Sequence, residues 1–264
     1  ALSSVYFVAP LVLGDGAADE AGWLCCAVNA AHDHFEVSSL ASGAVTAGGI
    51  DNRSVHCSGG LVSPSTEKAK AAERAICAAP AALRNGGATL ANVSALYDGL
   101  HKLGLHYGPA YRRLSAAWLT LGAEYAFGQL HLRTLASRCG TAVHPADSDS
   151  AFHLASLVDV LRVAAGGSLK DREGKTAVPF SIQRANLRGC AGRLWAVARP
   201  AGEMKSDMWL LEERKPNATA QWRREMLPAF EMHEVELKAY DISAARRAEI
   251  AAARKKPLVY RVSW

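Results

Sequence analysis

The stretch HPADSDSAFH, residues 144–153, holds the side chains best suited to acid–base chemistry. Asp149 and His153 are four residues apart, so in a helix they lie on one face. An aspartate in the first turn of a buried helix must be hydrogen-bonded or protonated, and a protonated carboxyl group is a general acid. A structural role fits the spacing equally well: Asp147 or Ser148 caps the helix and Asp149 only complements its dipole. Spacing alone leaves both interpretations open.

A second stretch, HKLGLHYGPAYRRL at residues 101–114, combines histidines with turn residues. Gly108 and Pro109 after Tyr107 predict a rigid turn, and Gly104 permits a positive φ or close packing. Such a turn lets backbone N–H groups approach a ligand, although it also serves as an ordinary helix-to-strand connection. We interpret the stretch as a turn that shapes a pocket rather than as a catalytic histidine loop.

The elements that must position these residues differ between the two halves of the chain. Residues 1–64 alternate apolar and polar side chains in short runs, which predicts strands in SSVYFVAPLVL, GWLCCAVNA, HFEVSSLA and SVHCSGGLV. Helices are expected over residues 65–79 and 91–103, with a loop at RNGGATLAN between them.

The second half predicts one long helix among strands. Within residues 140–167, the predicted helix begins near Pro145 and ends at Gly166-Gly167. Its apolar side chains lie on nearly all sides, which is typical of a buried helix. The predicted strands are two within AAWLTLGAEYAFGQLHLR, then AVPFSIQRANL, GRLWAVARP, DMWLLEE, HEVELKAY and the closing LVYRVSW; a polar helix is expected over residues 242–255.

Composition excludes several classes of protein. The net charge of +5 comes without a dense Lys/Arg patch interleaved with aromatics, so nucleic-acid binding is not expected. No apolar run reaches membrane-spanning length. The six cysteines are scattered, with no pair at metal-ligand spacing, which indicates reduced thiols in a cytoplasmic protein without a metal site.

Taken together, the two chemical stretches resemble one family. GLHYGPAYRRL resembles the GYxYGPxF motif of polyketide synthase dehydratase domains, and HPADSDSAFH resembles their HPxxxDxxxQ/H motif. VYFVAPLVL, SVHCSGGLVSP and VPFSIQRANLRG are similar to flanking strands of that family in the same order. LVYRVSW resembles the junction leading toward a following ketoreductase region.

The resemblance implies an α+β double hot-dog fold, in which two antiparallel sheets each wrap a long helix. Residues 1–90 would form an N-terminal half with a linker helix, and residues 91–264 a C-terminal half with the Asp-bearing helix. The N-terminal half lacks a sequence for its own central helix. A sheet left without its helix would expose a large apolar face.

The implied reaction is loss of water from a 3-hydroxyacyl chain carried on the phosphopantetheine of acyl carrier protein. In the family, a histidine removes the C2 proton and an aspartate protonates the leaving C3 hydroxyl, with no metal or redox cofactor. Carried over, Asp149 is the acid and His153 its hydrogen-bonding neighbour. The substrate-binding residues implied are Tyr107, Gly108, Pro109, His144 and Pro145. Asp147 stands where the family usually has an apolar residue, which makes it a rival to Asp149.

The family's catalytic histidine lies in an HxxxGxxxxP motif before VYFVAPLVL, and this sequence has no counterpart of it. We therefore expect the general base to come from upstream of Ala1, or the chain to be an inactive dehydratase-like scaffold. A related double-bond isomerase or pyran-forming cyclase, using the same aspartate, is a third interpretation. Expected partners are acyl carrier protein, neighbouring synthase domains and, since family members are often dimers, a second copy. Arg112 and Arg113 are a candidate docking patch.

Overall fold

The computed structural model describes residues 1–9, 23–40, 53–63, 85, 87–102, 104–120, 125–134, 137, 140–164, 176–190, 192–202, 204–214 and 225–240. These residues form strands and two helices. The strands are β1 (Leu2–Phe7), β2 (Trp23–Asn29), β3 (His34–Leu40), β4 (Arg53–Leu61), β5 (Ala88–Ala91), β6 (Leu114–Thr120), β7 (Ala126–Leu130), β8 (Thr176–Leu187), β9 (Arg193–Gly202), β10 (Lys205–Arg214) and β11 (Glu225–Tyr240). The helices are α1 (Val93–Lys102) and α2 (Pro145–Ala164).

The strands form one antiparallel sheet in the order β2-β3-β4-β1-β8-β11-β10-β9-β7-β6-β5. The predicted antiparallel sheets of the two halves are therefore confirmed, and they are continuous with each other. The connection is the pairing of β1 with β8, where Val5 lies opposite Ile182. This long-range pairing of β1 with β8 fixes how the first half sits against the second.

Helix α2 is the buried helix that the sequence predicts. It packs against β9, β7, β10 and β6. Leu154 and Ala151 are fully buried, and Ala155 and Val158 nearly so. The small alanine side chains let the helix approach the strands closely, so its leucine and valine side chains pack against the concave face of the sheet. This packing fixes the start of α2, where the candidate acid lies, against a rigid surface.

The described residues of the first half, 1–9, 23–40 and 53–63, form strands, whereas α1 and α2 pack on strands of the second half. One face of this first sheet is apolar, because paired residues on adjacent strands point to the same side. Val28 pairs with Phe35, and Cys26 pairs with Val37. Val28 remains 63% exposed and Leu24, on the same face of β2, 47% exposed. Within the described ranges of the first half no residue is helical, and the absence of a central helix stays a prediction.

Two predictions of local structure need correction. The stretch RNGGATLAN is not wholly a loop, because Ala88–Ala91 forms β5 and pairs with β6. The last described strand, β11, begins at Glu225, well before the predicted HEVELKAY. In the pairing of β11 with β10, the register shifts between Leu210 and Leu211. Leu211 lies opposite Pro228, which has no N–H to donate to the ladder. The predicted helices at 65–79 and 242–255 and the strand LVYRVSW lie outside the described residues.

Candidate active site

Helix α2 begins with His144 and Pro145. The His144 carbonyl oxygen accepts hydrogen bonds from the N–H groups of Asp147 at 2.9 Å and Ser148 at 3.2 Å, and its Nδ1 accepts from the Ala146 N–H at 3.1 Å. His144 is therefore the N-cap, and Pro145 occupies the first helical position, where its missing N–H leaves nothing unpaired. The structural alternative, in which Asp147 or Ser148 caps the helix, is therefore wrong. Burial lowers the pKa of His144, with the Arg133 charge acting in the same direction.

Asp147 is fixed in a structural ion pair. Its side chain is 4% exposed and lies between Arg113, whose Nε is 3.1 Å from Oδ1, and Arg133, whose Nε is 2.8 Å from Oδ2. A further bond joins Arg133 Nη2 to Asp147 Oδ1 at 3.1 Å. Both carboxylate oxygens accept hydrogen bonds from guanidinium groups. The geometry therefore argues against Asp147 as a proton donor.

Asp149 faces a different environment. Its side chain is 27% exposed, and its Oδ2 lies 3.3 Å from Nε2 of His153, whose side chain is 1% exposed. The helical spacing of four residues thus produces the predicted contact. This contact does not meet the geometry of a hydrogen bond, and His153 Nε2 has no hydrogen-bond partner among the described residues. A partly open carboxyl group backed by a buried imidazole is an arrangement suited to proton transfer.

Two tyrosines enclose the His153 ring. The ring of Tyr107 stands edge-on to it with centroids 4.2 Å apart, and the ring of Tyr97 does so at 5.3 Å. Burial raises the pKa of Tyr107, and the nearby Asp149 charge adds to the effect, so Tyr107 remains a neutral phenol. The aromatic walls keep water from His153 and leave Asp149 as the exposed end of the pair.

The turn that carries Tyr107 is built as the sequence suggests. Gly104 has φ of 88°, the left-handed conformation that glycine adopts without strain. The Gly108 carbonyl accepts hydrogen bonds from the N–H groups of Tyr111 at 3.0 Å and Arg112 at 3.2 Å, closing the turn around Pro109. Open space surrounds the position that a Gly108 side chain would take. The two histidines of this stretch, His101 and His106, stack on each other with centroids 4.1 Å apart.

The proposed docking pair, Arg112 and Arg113, is engaged within the site. Arg113 has a side chain 14% exposed and bound to Asp147, so it is not a free surface cation. Arg112 Nε donates to the Tyr107 carbonyl oxygen at 2.8 Å, and its guanidinium lies 5.5 Å from the centre of the Tyr97 ring. These arginines therefore brace the turn and the start of α2, and Arg113 offers little free surface. Their role in docking stays a prediction.

The structure thus brings Asp149, His153 and Tyr107 together, while His144 and Pro145 set the start of the helix beside them. Tyr97 completes the group and was missed from the sequence. Its Oη lies 3.3 Å from His153 Nδ1. A buried tyrosine between apolar residues of an amphipathic helix needs a hydrogen-bond partner, which is the signal that marks such a residue.

The geometry of the site agrees with the protein family that the chain matches. Residues 77–214, more than half of the chain, match the family model of the polyketide synthase dehydratase N-terminal domain. The chain belongs to this polyketide synthase dehydratase family. The spectinabilin polyketide synthase system protein NorB of Streptomyces orinoci is 38% identical over 130 residues, which are 48% of this chain and 6% of NorB. The chain therefore spans a small part of that curated relative.

Solved structures establish the fold of this dehydratase-family chain. The dehydratase domain from the CurK module of curacin polyketide synthase aligns with a TM-score of 0.56 and 15% identity, covering 92% of this chain and 75% of that one. The RzxB dehydratase domain from Pseudomonas fluorescens gives 0.57 and 17%, covering 90% and 74%. A structure on dehydratase substrate selection for the borrelidin and fluvirucin polyketide synthases gives 0.58 and 23%, covering 92% and 73%. The fold is the expected double hot-dog.

Among the residues that the structure describes, neither helix is long and apolar enough to cross a bilayer. In the same residues, no three His, Cys, Asp or Glu side chains are grouped so that they could share a metal ion.

Proposed function

We propose that this domain removes water from a 3-hydroxyacyl thioester to give the 2-enoyl product, as part of a modular polyketide synthase. The observation that carries the proposal is the placement of Asp149, a carboxyl group 27% exposed at the start of a buried helix, against the buried His153. In this chemistry the C2–H bond breaks, its electrons form the C2=C3 double bond, and the C3–O bond breaks. Asp149 gives its proton to the departing hydroxyl, which leaves as water.

The proton acceptor for C2–H must be a second group. All nine histidines lie in the described ranges, and His153 is the one within 4.0 Å of the Asp149 carboxylate there. Because its side chain is 1% exposed behind Asp149, it has little surface to offer a substrate. We propose that the base is a histidine upstream of this sequence, on a helix that covers the apolar face of β1–β4. The exposed Val28 and Leu24 on that face support such a cover.

Similar domains lend support. The CurK dehydratase has been solved as a histidine-to-phenylalanine variant and as an aspartate-to-asparagine variant, and each is described as inactive. Both have the fold of this chain. A one-histidine, one-aspartate division of labour is consistent with Asp149 as the acid and an external histidine as the base.

We further propose that the substrate arrives on the phosphopantetheine of an acyl carrier protein. The partners of this domain would be adjoining synthase domains, including a ketoreductase region, or a second copy of the chain. The assembly would be cytoplasmic. The net charge of +5 favours an acidic carrier. Because the reaction consists of proton transfers and the loss of water, we propose that it needs neither a metal nor a redox cofactor.

The test is an assay of a 3-hydroxyacyl pantetheine thioester with the longest native polypeptide that carries this sequence, following loss of water by mass spectrometry. We expect Asp149→Asn to lower the rate by about a hundredfold or more. Asp98→Asn, a change on the exposed side of α1, is the matched control and should retain activity. Undiminished turnover in Asp149→Asn would rule out its role as the acid.

The isolated 264-residue chain provides the second arm of the test. If the base lies upstream, this chain should bind the thioester but form no enoyl product. Product formation by the chain alone would contradict the external base. Absence of product from the longer polypeptide would instead support the inactive scaffold.

A further inference from the structure

We propose that Tyr97 is a positioning residue that selects which ring nitrogen of His153 carries the proton, and thereby which oxygen of Asp149 holds the proton given to the substrate. The inference rests on the proposed role of Asp149 as the acid. It assigns a task to a side chain on α1, which lies in a different part of the sequence from the chemical motif on α2.

The three contacts involved form a chain from backbone to carboxyl group. The Leu114 N–H, at the first residue of β6, lies 3.4 Å from Tyr97 Oη. Tyr97 Oη lies 3.3 Å from His153 Nδ1. On the other side of the ring, His153 Nε2 lies 3.3 Å from Asp149 Oδ2. Tyr97 is 5% exposed and His153 1% exposed, so water has little access to either link.

The direction of these contacts follows from what each group can donate. A backbone N–H only donates, so Tyr97 Oη accepts from Leu114. The phenol O–H is then available to donate to His153 Nδ1, the direction that we assign. Burial raises the pKa of Tyr97, which keeps the phenol protonated. Since Nδ1 of His153 accepts that proton, the ring's single N–H is on Nε2, facing Asp149. The tautomer is thus set by a side chain that is only 5% exposed.

The choice of tautomer matters for the acid. With the proton on Nε2, His153 donates toward Asp149 Oδ2, so the transferable proton resides on Oδ1. After the Oδ1–H bond breaks and the proton joins the departing hydroxyl, Nε2–H stabilises the carboxylate that remains. In the opposite tautomer, a lone pair on Nε2 would face Oδ2 and compete with the substrate for the acid's proton.

The packing of the ring supports this assignment. Tyr97 and Tyr107 stand edge-on to His153 at interplanar angles of 81° and 69°. Arg112 lies over the Tyr97 ring and also holds the Tyr107 carbonyl oxygen, so the two tyrosines are linked through one guanidinium. The imidazole therefore sits in a fixed orientation in which each nitrogen has one neighbour.

The decisive experiment is ¹⁵N NMR of the chain labelled at histidine, because the two tautomers give different nitrogen shifts and the measurement requires no turnover. His153→Gln identifies the His153 signals among the nine histidines. We expect His153 to be protonated at Nε2, and Tyr97→Phe, which keeps the ring but removes Oη, to populate the Nδ1-protonated form. A wild-type ring protonated at Nδ1, or an unchanged spectrum in Tyr97→Phe, would overturn the proposal.

A kinetic cycle separates positioning from simple packing. Tyr97→Phe should lower kcat about tenfold, the effect of one hydrogen bond, with KM unchanged. In the His153→Gln background the same change should have an effect below about twofold, because an amide has no tautomers to select. Tyr111→Phe, at an exposed tyrosine outside the cluster, is the control. Equal losses in both backgrounds would show that Tyr97 acts only through packing. A chain without turnover leaves the NMR result to decide this proposal independently of the proposed function.

Discussion

Asp147 and Asp149 lie two residues apart at the start of α2 and have opposite surroundings. Two residues turn a helix by about 200°, so the side chains leave it on nearly opposite faces. Asp147 is 4% exposed between two arginines, whereas Asp149 is 27% exposed beside a histidine. Asp147 anchors the helix, whereas Asp149 is available for chemistry. The sequence HPADSDSAFH alone does not distinguish the two roles.

The anchoring role predicts a loss of stability when Asp147 is changed. Asp147→Asn leaves Arg113 and Arg133, 14% and 12% exposed, without a carboxylate. Removing one partner of a buried ion pair should lower the free energy of unfolding by about 3 kcal/mol. Urea denaturation followed by circular dichroism measures the change, with the exposed Asp98→Asn as control. An unchanged urea midpoint in Asp147→Asn would show that the arginines are solvated rather than held by this residue.

Helix capping by His144 gives a second prediction. His144→Ala removes the Nδ1 that accepts the Ala146 N–H at 3.1 Å and should cost about 1 kcal/mol of unfolding free energy. His144→Asn supplies a carbonyl oxygen in a favoured N-cap residue and should keep most of the stability. If both variants lose the same amount in thermal unfolding, the imidazole stabilises the helix through packing rather than through its acceptor nitrogen.

Much of the fold follows from the sequence because local patterns determine it. Pro145 and the apolar positions through Val158 predict α2, and the strands of the first half follow from alternation. The spacing does not identify His144 as the N-cap, because imidazole is an uncommon capping group, while Asp147 and Ser148 are common ones. The early start of β11 was hidden by Pro228, which lies in a strand at a shift in register. Tertiary context overrides these local signals.

The site itself depends on contacts that no local pattern contains. Tyr97 and His153 are 56 residues apart in sequence, and their hydrogen bond exists only because α1 and α2 both pack against β6. His233 is a similar case. HEVELKAY was predicted as a strand in a polar segment, yet His233 is 4% exposed and lies between Asp207 and Glu231. Pairing across three strands, not the sequence around it, buries this histidine.

This buried group predicts a dependence of stability on pH. Burial alone would raise the pKa of Asp207, but hydrogen bonds from His233, the Glu234 N–H and Arg199 outweigh it and lower the pKa to about 2. Asp207 therefore contributes about 2 kcal/mol above its ordinary pKa of 3.8, and this stability is lost as the pH falls toward about 2. Burial acts to lower the pKa of His233, and the carboxylates of Asp207 and Glu231 reverse this and raise it.

The stability from His233 is consequently complete below its ordinary pKa of 6.5 and is lost as the pH rises through the raised value. The measurement is the difference in unfolding free energy between the wild-type chain and His233→Gln from pH 5 to about pH 9. We expect the difference to be largest at the acidic end and to shrink with increasing pH. His32→Gln, in an exposed turn, controls for loss of a surface imidazole. A difference that grows with pH would contradict the charged pairing.

Two glycines provide a last, matched prediction of opposite sign. A side-chain carbon on Gly128 would lie 2.7 Å from Leu114 Cδ2, 3.0 Å from the Ala116 carbonyl oxygen and 3.3 Å from Leu154 Cδ2. Gly128→Ala should therefore push β7 away from β6 and α2 and cost about 2 kcal/mol. Gly99 lies in α1 with nothing within 4 Å of such a carbon, so Gly99→Ala should raise the stability by about 1 kcal/mol through helix propensity.

Thermal unfolding of the two variants tests the close packing behind the candidate site. Leu154 adjoins His153 in the helix, and Leu114 provides the N–H that faces Tyr97, so the strain in Gly128→Ala falls on both ends of the cluster. We expect that variant to unfold at a lower temperature and to lose activity, and Gly99→Ala to unfold at a higher temperature with activity retained. If Gly128→Ala is as stable as the wild type, β7 does not pack against α2 as closely as these distances require, and the support for His153 must lie elsewhere.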